Sequence, residues 1–149
     1  MSERDEGNAV IEFIVVAVLI LVPMVYFVTA VASVQRSTLG VSQAAREAGR
    51  AFATAASTAD AMVRARAAVR LALADEGLAD DAELRFVPAE ADCRSAPSAP
   101  MLLPGAVFAV CVIRRAAVPG VPSLLASHGI TTIGRYVVHV DDFRTAQTP

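Results

Sequence analysis

The chain of 149 residues contains no tryptophan and no lysine, and only 5% of its residues are aromatic. All thirteen basic residues are therefore arginines, and they are scattered along the sequence. With a formal net charge of −2, the chain lacks the basic face that many phosphate contacts with nucleic acid would require. These absences argue against a nucleic-acid-binding protein.

Motifs of catalysis and metal binding are also missing. Ser127 and His128 are adjacent, but neither a nucleophile elbow nor a suitably spaced acid accompanies them, which favours a loop histidine. His139, Asp141 and Asp142 offer metal ligands, yet a strand end that turns into solvent explains them more simply. The sequence therefore predicts no enzyme, no metal site and no cofactor.

Charge is absent from residues 13–35, which contain no Asp, Glu, Lys, Arg or His. At about 1.5 Å per residue this helix-length run reaches roughly 34 Å, enough to cross a hydrocarbon layer of about 30 Å. The run is too long, and its head too acidic, for a typical cleaved secretory signal, although Ala30-Val31-Ala32 could mimic a cleavage site. We therefore expect a single membrane span.

The two sources of information on orientation disagree. Arg36, Arg46 and Arg50 follow the span and only Arg4 precedes it, so the positive-inside rule weakly places the C-terminal part in the cytoplasm. A disulfide between Cys93 and Cys111 would instead indicate an oxidising compartment. Two free buried thiols fit the sequence equally well.

The helix of the span is expected to begin near Asn8, to bend at Pro23, and to continue past the membrane as an amphipathic helix. Gly40 and Gly49 would allow either a partner helix or the protein's own domain to approach closely, and the second alternative is favoured. The predicted buried face recurs at spacings of three and four, at Val41, Ala45, Ala48, Phe52 and Ala55.

A break at residues 57–60 predicts a second helix, which should end at Glu76-Gly77. Its buried face would carry Met62, Val69 and Leu73, with Arg64, Arg66 and Arg70 in solvent. Alternating or dense apolar runs at residues 84–86, 107–113 and 136–140 predict three strands, the second of them central. Turn-rich segments at residues 95–104 and 119–129 separate these strands. The predicted fold class is α+β: a long N-terminal transmembrane helix, a shorter second helix and a small antiparallel β-sheet.

Near the N-terminus, Gly7 is followed after four residues by Glu12-Phe13 and then by the apolar helix. This order of residues resembles the class III signal of type IV pilin-like proteins. Three further features are residues 8–13 (NAVIEF), the central Pro23 and residues 43–50 (QAAREAGR). With them, residues 4–56 resemble more finely the TadE-like pseudopilins of the tight-adherence (Flp) pilus system.

This resemblance implies a pilin-like fold and a specific processing route. Prepilin peptidase would cut between Gly7 and Asn8, which leaves Glu12 as the fifth residue of the mature chain. The resemblance also implies that Glu12 and Phe13 take part in assembly, and that Glu12 neutralises the N-terminal amine of a neighbouring subunit. Partners would be other pilin or pseudopilin subunits, the inner-membrane assembly platform and membrane lipid.

The domain organisation that follows is a leader peptide at residues 1–7, a transmembrane helix at 8–35 and an extracytoplasmic domain at 36–149. The expected protein is a minor pseudopilin in the cytoplasmic membrane, single-pass, that enters a pilus or secretion filament at the cell surface. A major Flp pilin is much shorter than this chain. The alternatives are a signal-anchored extracytoplasmic binding or accessory module that does not polymerise, and an accessory subunit of a membrane enzyme.

Overall fold

Two helices precede a three-stranded sheet in the computed structural model, which describes residues 3–116 and 129–143. The elements are α1 (Glu3–Ala53), α2 (Thr58–Asp75), β1 (Glu83–Pro88), β2 (Val107–Ala116) and β3 (Ile130–His139). The strands form one antiparallel sheet in the order β1-β2-β3. The predicted α+β fold, with β2 as its central strand, is confirmed.

Helix α1 is continuous from Glu3 to Ala53 and passes through Pro23 without ending. The prediction that it begins near Asn8 was wrong, because the charged residues before Gly7 already have helical conformation. Glu and Arg are good helix formers, and their propensity extends the helix beyond the favourable cap residue. The first buried side chain along the described part of α1 is that of Ser37.

The predicted amphipathic face of α1 is buried against the protein's own domain. Phe52 of this face meets Phe86 of β1 and Phe108 of β2, with ring centroids 5.1 and 5.2 Å apart. All five predicted face residues are at most 1% exposed: Val41, Ala45, Ala48 and Phe52 lie on α1, and Ala55 follows just after the helix ends at Ala53. The C-terminal part of α1 is therefore the central element of the domain core.

The boundaries of α2 follow the predicted signals. Ser57 is its N-cap, and its hydroxyl accepts a hydrogen bond from the Asp60 N–H at 3.2 Å. At the other end Gly77 has a φ of 65°, and the Leu78 N–H donates to the Leu73 carbonyl at 2.9 Å. This bond and the positive φ of Gly77 are those of a Schellman motif, which reverses the chain and directs Leu78 back towards α1.

Alternate residues of the sheet pack in two different cores. Phe108, Val110 and Val112 of β2 face the helices, where they join the main core cluster. Ala109 and Cys111 point the other way and pack with Val87 and Cys93 in a smaller cluster. Because both faces of β2 are covered, its apolar residues form a dense run with no polar alternation, as expected for a central strand.

Strand β3 is longer than predicted: it starts at Ile130, six residues before the predicted segment at 136–140. Thr132 and Gly134 lie in this added part and face α1. The predicted turn-rich segment at 119–129 lies outside the described residues, except for Gly129.

Glycines allow α1 and β3 to approach each other closely. A Cβ atom on Gly134 would overlap the backbone carbonyl of Val41. A Cβ atom on Gly49 would lie 2.7 Å from both Tyr136 and Val138. The favoured explanation of Gly49, contact with the protein's own domain, is confirmed. No pattern in the sequence singles out Gly134.

Cys93 and Cys111 form a disulfide between the loop after β1 and the central strand, with a sequence separation of 18. Both cysteines are at most 2% exposed. The structure thus decides between the two alternatives that the sequence left open, and places the disulfide on the face of the sheet away from α1.

We expect Gly134→Ala to destabilise the domain by about 1–3 kcal/mol or more, since a methyl group there must push β3 away from the rigid backbone of α1. Denaturant unfolding of the full chain in detergent would measure the change. Thr131→Ala, at an exposed position of the same strand, is the matched control. Equal stability of the two variants would contradict the close approach of α1 and β3.

We expect the Cys93→Ala/Cys111→Ala double variant to lose about 3 kcal/mol of stability, the scale for a cross-link that closes a loop of this length. Reduction of the wild-type protein should lower its free energy of unfolding by a similar amount, which appears as a lower unfolding midpoint. The double variant should not respond to reductant. A wild-type midpoint unaffected by reductant would argue against the disulfide.

Candidate functional site

The N-terminal half of α1 exposes a large apolar surface. Phe13, Leu19 and Phe27 are each between 69% and 74% exposed, and none of the most apolar stretch of the helix is buried. Contiguous apolar surface of this size on a folded protein marks a site that contacts lipid or another protein. Within the described residues, this is the one helix that is long and apolar enough to cross a membrane.

The exposed surface runs all the way round the helix. Residues that point in different directions round the helix are all close to half exposed or more, so the apolar side chains are not confined to one stripe. Examples are Val15, Val16, Val18 and Leu19. A helix that packs on a soluble core exposes a polar face, whereas a helix surrounded by lipid has none. The exposure pattern therefore changes along one helix, from an all-round apolar surface to a one-sided core face that begins near Ser37.

The hydroxyl of Thr29, inside the apolar half, finds partners within the helix. The Thr29 hydroxyl lies 3.0 Å from the Val25 carbonyl and 2.9 Å from the Tyr26 carbonyl. Pro23 has no N–H to donate to the Leu19 carbonyl, which is the local cost of a proline within a helix. An internal bond such as that of Thr29 is what a hydroxyl needs in hydrocarbon, where water is absent.

Glu12 is the last charged residue before the apolar run, and it is exposed on α1. Among the side chains that the structure describes, it has no ion-pair partner. Because α1 begins at Glu3, Glu12 lies beyond the first two turns, where the helix dipole has little effect. An ionised carboxylate at the edge of a membrane span is costly to bury without a partner.

A buried polar junction fixes α1 where its apolar surface gives way to the domain core. Ser37 is fully buried, and its hydroxyl lies 2.9 Å from the Thr132 hydroxyl on β3. Arg114 Nη1 of β2 donates to the same Ser37 oxygen at 3.2 Å. The Thr132 hydroxyl also donates to the Arg114 carbonyl at 3.2 Å. The junction thus joins α1, β2 and β3 through hydrogen bonds.

Arg114 is held on its other side by Asp81, with its Nε 2.5 Å from a carboxylate oxygen. The arginine side chain is 11% exposed and the aspartate side chain 48% exposed. An arginine this buried requires a partner, because desolvation of an unpaired charge is expensive. The pair also anchors the segment between α2 and β1 to the central strand.

The residues singled out in the sequence do not converge on one site. Glu12 and Phe13 lie on the exposed part of α1, and Cys93–Cys111 lies on the far face of the sheet. Gly7 and Asn8 are helical. His139 Nε2 is 3.9 Å from Asp142, and both side chains are largely exposed. Ser127 and His128 lie outside the described residues.

Sequence reasoning missed the junction of Ser37, Asp81, Arg114 and Thr132. One signal was available, because Ser37 lies four residues before Val41 and so extends the buried stripe of α1 by one turn with a polar residue. The partner of Ser37 lies 95 residues away, which no local pattern indicates.

Comparison with protein-family models, with curated proteins and with solved structures gave no match. The function must therefore be argued from the residues and their geometry.

We expect Asp81→Ala to destabilise the domain by about 1–2 kcal/mol, since it leaves the nearly buried Arg114 without its charged partner. Glu47→Ala, which breaks the exposed Arg50–Glu47 pair, should change stability by less than about 0.5 kcal/mol. Denaturant unfolding of both variants in the same detergent makes the comparison. Equal effects would mean that Arg114 does not depend on Asp81.

Proposed function

We propose that the chain is a minor, TadE-like pseudopilin of a tight-adherence pilus or a related secretion filament. The proposal rests on the division of α1 into two parts. Its N-terminal half is apolar and exposed on all sides, and its C-terminal half is packed in the core of the domain. Such a protein can wait in a membrane as a single-pass subunit and later exchange lipid contacts for contacts with other subunits. Packing between the apolar helices then holds the filament together.

Glu12 is the proposed assembly residue. It stands at the edge of the apolar surface without a partner among the described side chains, and a carboxylate entering a low-dielectric helix bundle needs a positive charge. The amine of another subunit, freed at Asn8 by prepilin peptidase, supplies that charge. The attraction of such a pair is much stronger in a low-dielectric setting than in water.

The proposed cut after Gly7 also changes the helix that Glu12 belongs to. It removes the charged residues from Glu3 to Glu6, which the structure includes in α1. A helix that begins at Asn8 brings Glu12 near the N-terminal end, where the unsatisfied N–H groups and the dipole stabilise a negative charge. Processing would therefore prepare both the amine and the carboxylate for assembly.

The proposed location is the cytoplasmic membrane, with the domain on the extracytoplasmic side. The Cys93–Cys111 disulfide supports this orientation, because such bonds persist in oxidising compartments and are rare in the cytosol. The arginines that follow the span favour the opposite orientation only weakly, since translocated domains often override this bias.

We expect Glu12→Ala and Glu12→Gln to insert into the membrane normally but to assemble at least about tenfold less, because loss of one buried charge pair exceeds the 1.4 kcal/mol that corresponds to a factor of ten. Site-specific cross-linking between copies or with neighbouring subunits, in the native host, would measure assembly. Glu47→Ala, an exposed carboxylate on the same helix, is the control and should assemble as wild type does.

Normal cross-linking of both Glu12 variants would contradict the proposal. It would favour an extracytoplasmic module that is anchored by α1 and does not polymerise.

A further inference from the structure

An open cavity of about 360 Å³ lies beside α1 where the helix leaves the domain. Thr29, Ala32 and Arg36 line it from one face of α1. Leu78, just after the end of α2, and Arg114 of β2 line it from the domain. The cavity thus lies under the part of the domain that overhangs the exposed helix, next to the Ser37 junction.

The depth of this cavity matches the boundary between the hydrocarbon and the headgroups. If the hydrocarbon begins at Phe13, a layer of about 30 Å ends some 20 residues later, near residue 33. Thr29 would then lie roughly 6 Å below that boundary, and Arg36 roughly 4 Å above it. The lower lining therefore faces acyl chains, and Arg36 lies at the level of lipid phosphates. Arg114 lies at a similar level, because it donates to Ser37, the next residue of α1.

The polar end of the cavity has unused hydrogen-bond donors. Arg36 is exposed and has no ion pair within the part of the chain that the structure describes. Arg114 uses its Nε for Asp81 and its Nη1 for Ser37, so among the described residues other N–H groups of the five in its guanidinium remain without a partner. Asp81 balances the charge of Arg114, so the net positive charge of the cavity comes from Arg36.

The lower lining is apolar in effect. The Thr29 hydroxyl is bonded to carbonyls of its own helix, and Ser33, which also lines the cavity, has a partner of its own within the protein. Ala32 and Leu78 offer only hydrocarbon. A free phosphate ion would make no use of this surface. A phospholipid fits both ends, because its phosphate is an acceptor for the arginines and its glycerol and acyl carbons match the lower lining.

We propose that this cavity binds one phospholipid of the leaflet next to the domain, with its phosphate between Arg36 and Arg114. The inference rests on the membrane span of the proposed function and not on polymerisation. A bound lipid would fill the space under the domain and hold α1 at a fixed depth while the subunit waits in the membrane.

Native mass spectrometry of the full chain, released from mixed-lipid nanodiscs, would test this site. The lipids would be phosphatidylglycerol and a phosphate-free glycosyl diacylglycerol with the same acyl chains. Wild type should retain one phosphatidylglycerol about tenfold in preference to the glycolipid, the scale of one charge-assisted hydrogen bond. Arg36→Gln should lose most of this preference, whereas Arg46→Gln, an exposed arginine further along α1, should keep it.

Three results would overturn the proposal: equal retention of the glycolipid by wild type, an unchanged preference in Arg36→Gln, or displacement of the lipid by millimolar inorganic phosphate. The last result would show a site for a small anion. Because lipid retention is read on single protomers, its failure leaves the assembly proposal intact. Release of the protein from membranes without detergent would instead refute the span itself.

Discussion

The close packing of α1 on β3 is the contact on which the rest of the structure depends. At Gly134 and Gly49 the helix and the strand are too close to admit ordinary side chains, and α1 presents mostly alanine to the sheet between them. Small residues give little hydrophobic area each, so stability must come from many well-fitted contacts over a short distance. The aromatic group of Phe52, Phe86 and Phe108 closes the far end of this interface.

Because of this interface, one part of α1 lies in the core of the domain while the other part extends out of it. The domain fixes the C-terminal half of α1, and on the N-terminal side of Ser37 the helix continues as an apolar segment whose side chains are mostly exposed. The Ser37–Thr132–Arg114–Asp81 junction lies at the transition, where hydrogen bonds hold β2 and β3 against the helix and attach the segment before β1 to β2. In the proposed function, force or displacement acting on the apolar half would be transmitted to the domain through this rigid connection.

Much of the fold could be predicted because its signals are local. The charge-free run, the Ser57 and Gly77 caps of α2 and the dense apolar run of β2 each contain their own physical reason, and each lies where it was expected. The start of α1 was misplaced because Asn8 has a good cap side chain, yet the residues before it are also helix formers. The role of Gly134, the pairing of Ser37 with Thr132 and the early start of β3 depend on contacts between distant segments, which periodicity does not encode. For the candidate site, the sequence indicated the apolar surface and Glu12 but not the cavity at Arg36.

We propose that the apolar half of α1 mediates assembly into a filament, and that a cut after Gly7 creates its N-terminus. The cut can be tested on protein recovered from its native membrane and from filament fractions, by measuring the mass and the N-terminal sequence of the chain. We expect a mature chain that starts at Asn8, with Glu12 as its fifth residue. A chain in both fractions that still carries residues 2–7 would contradict it.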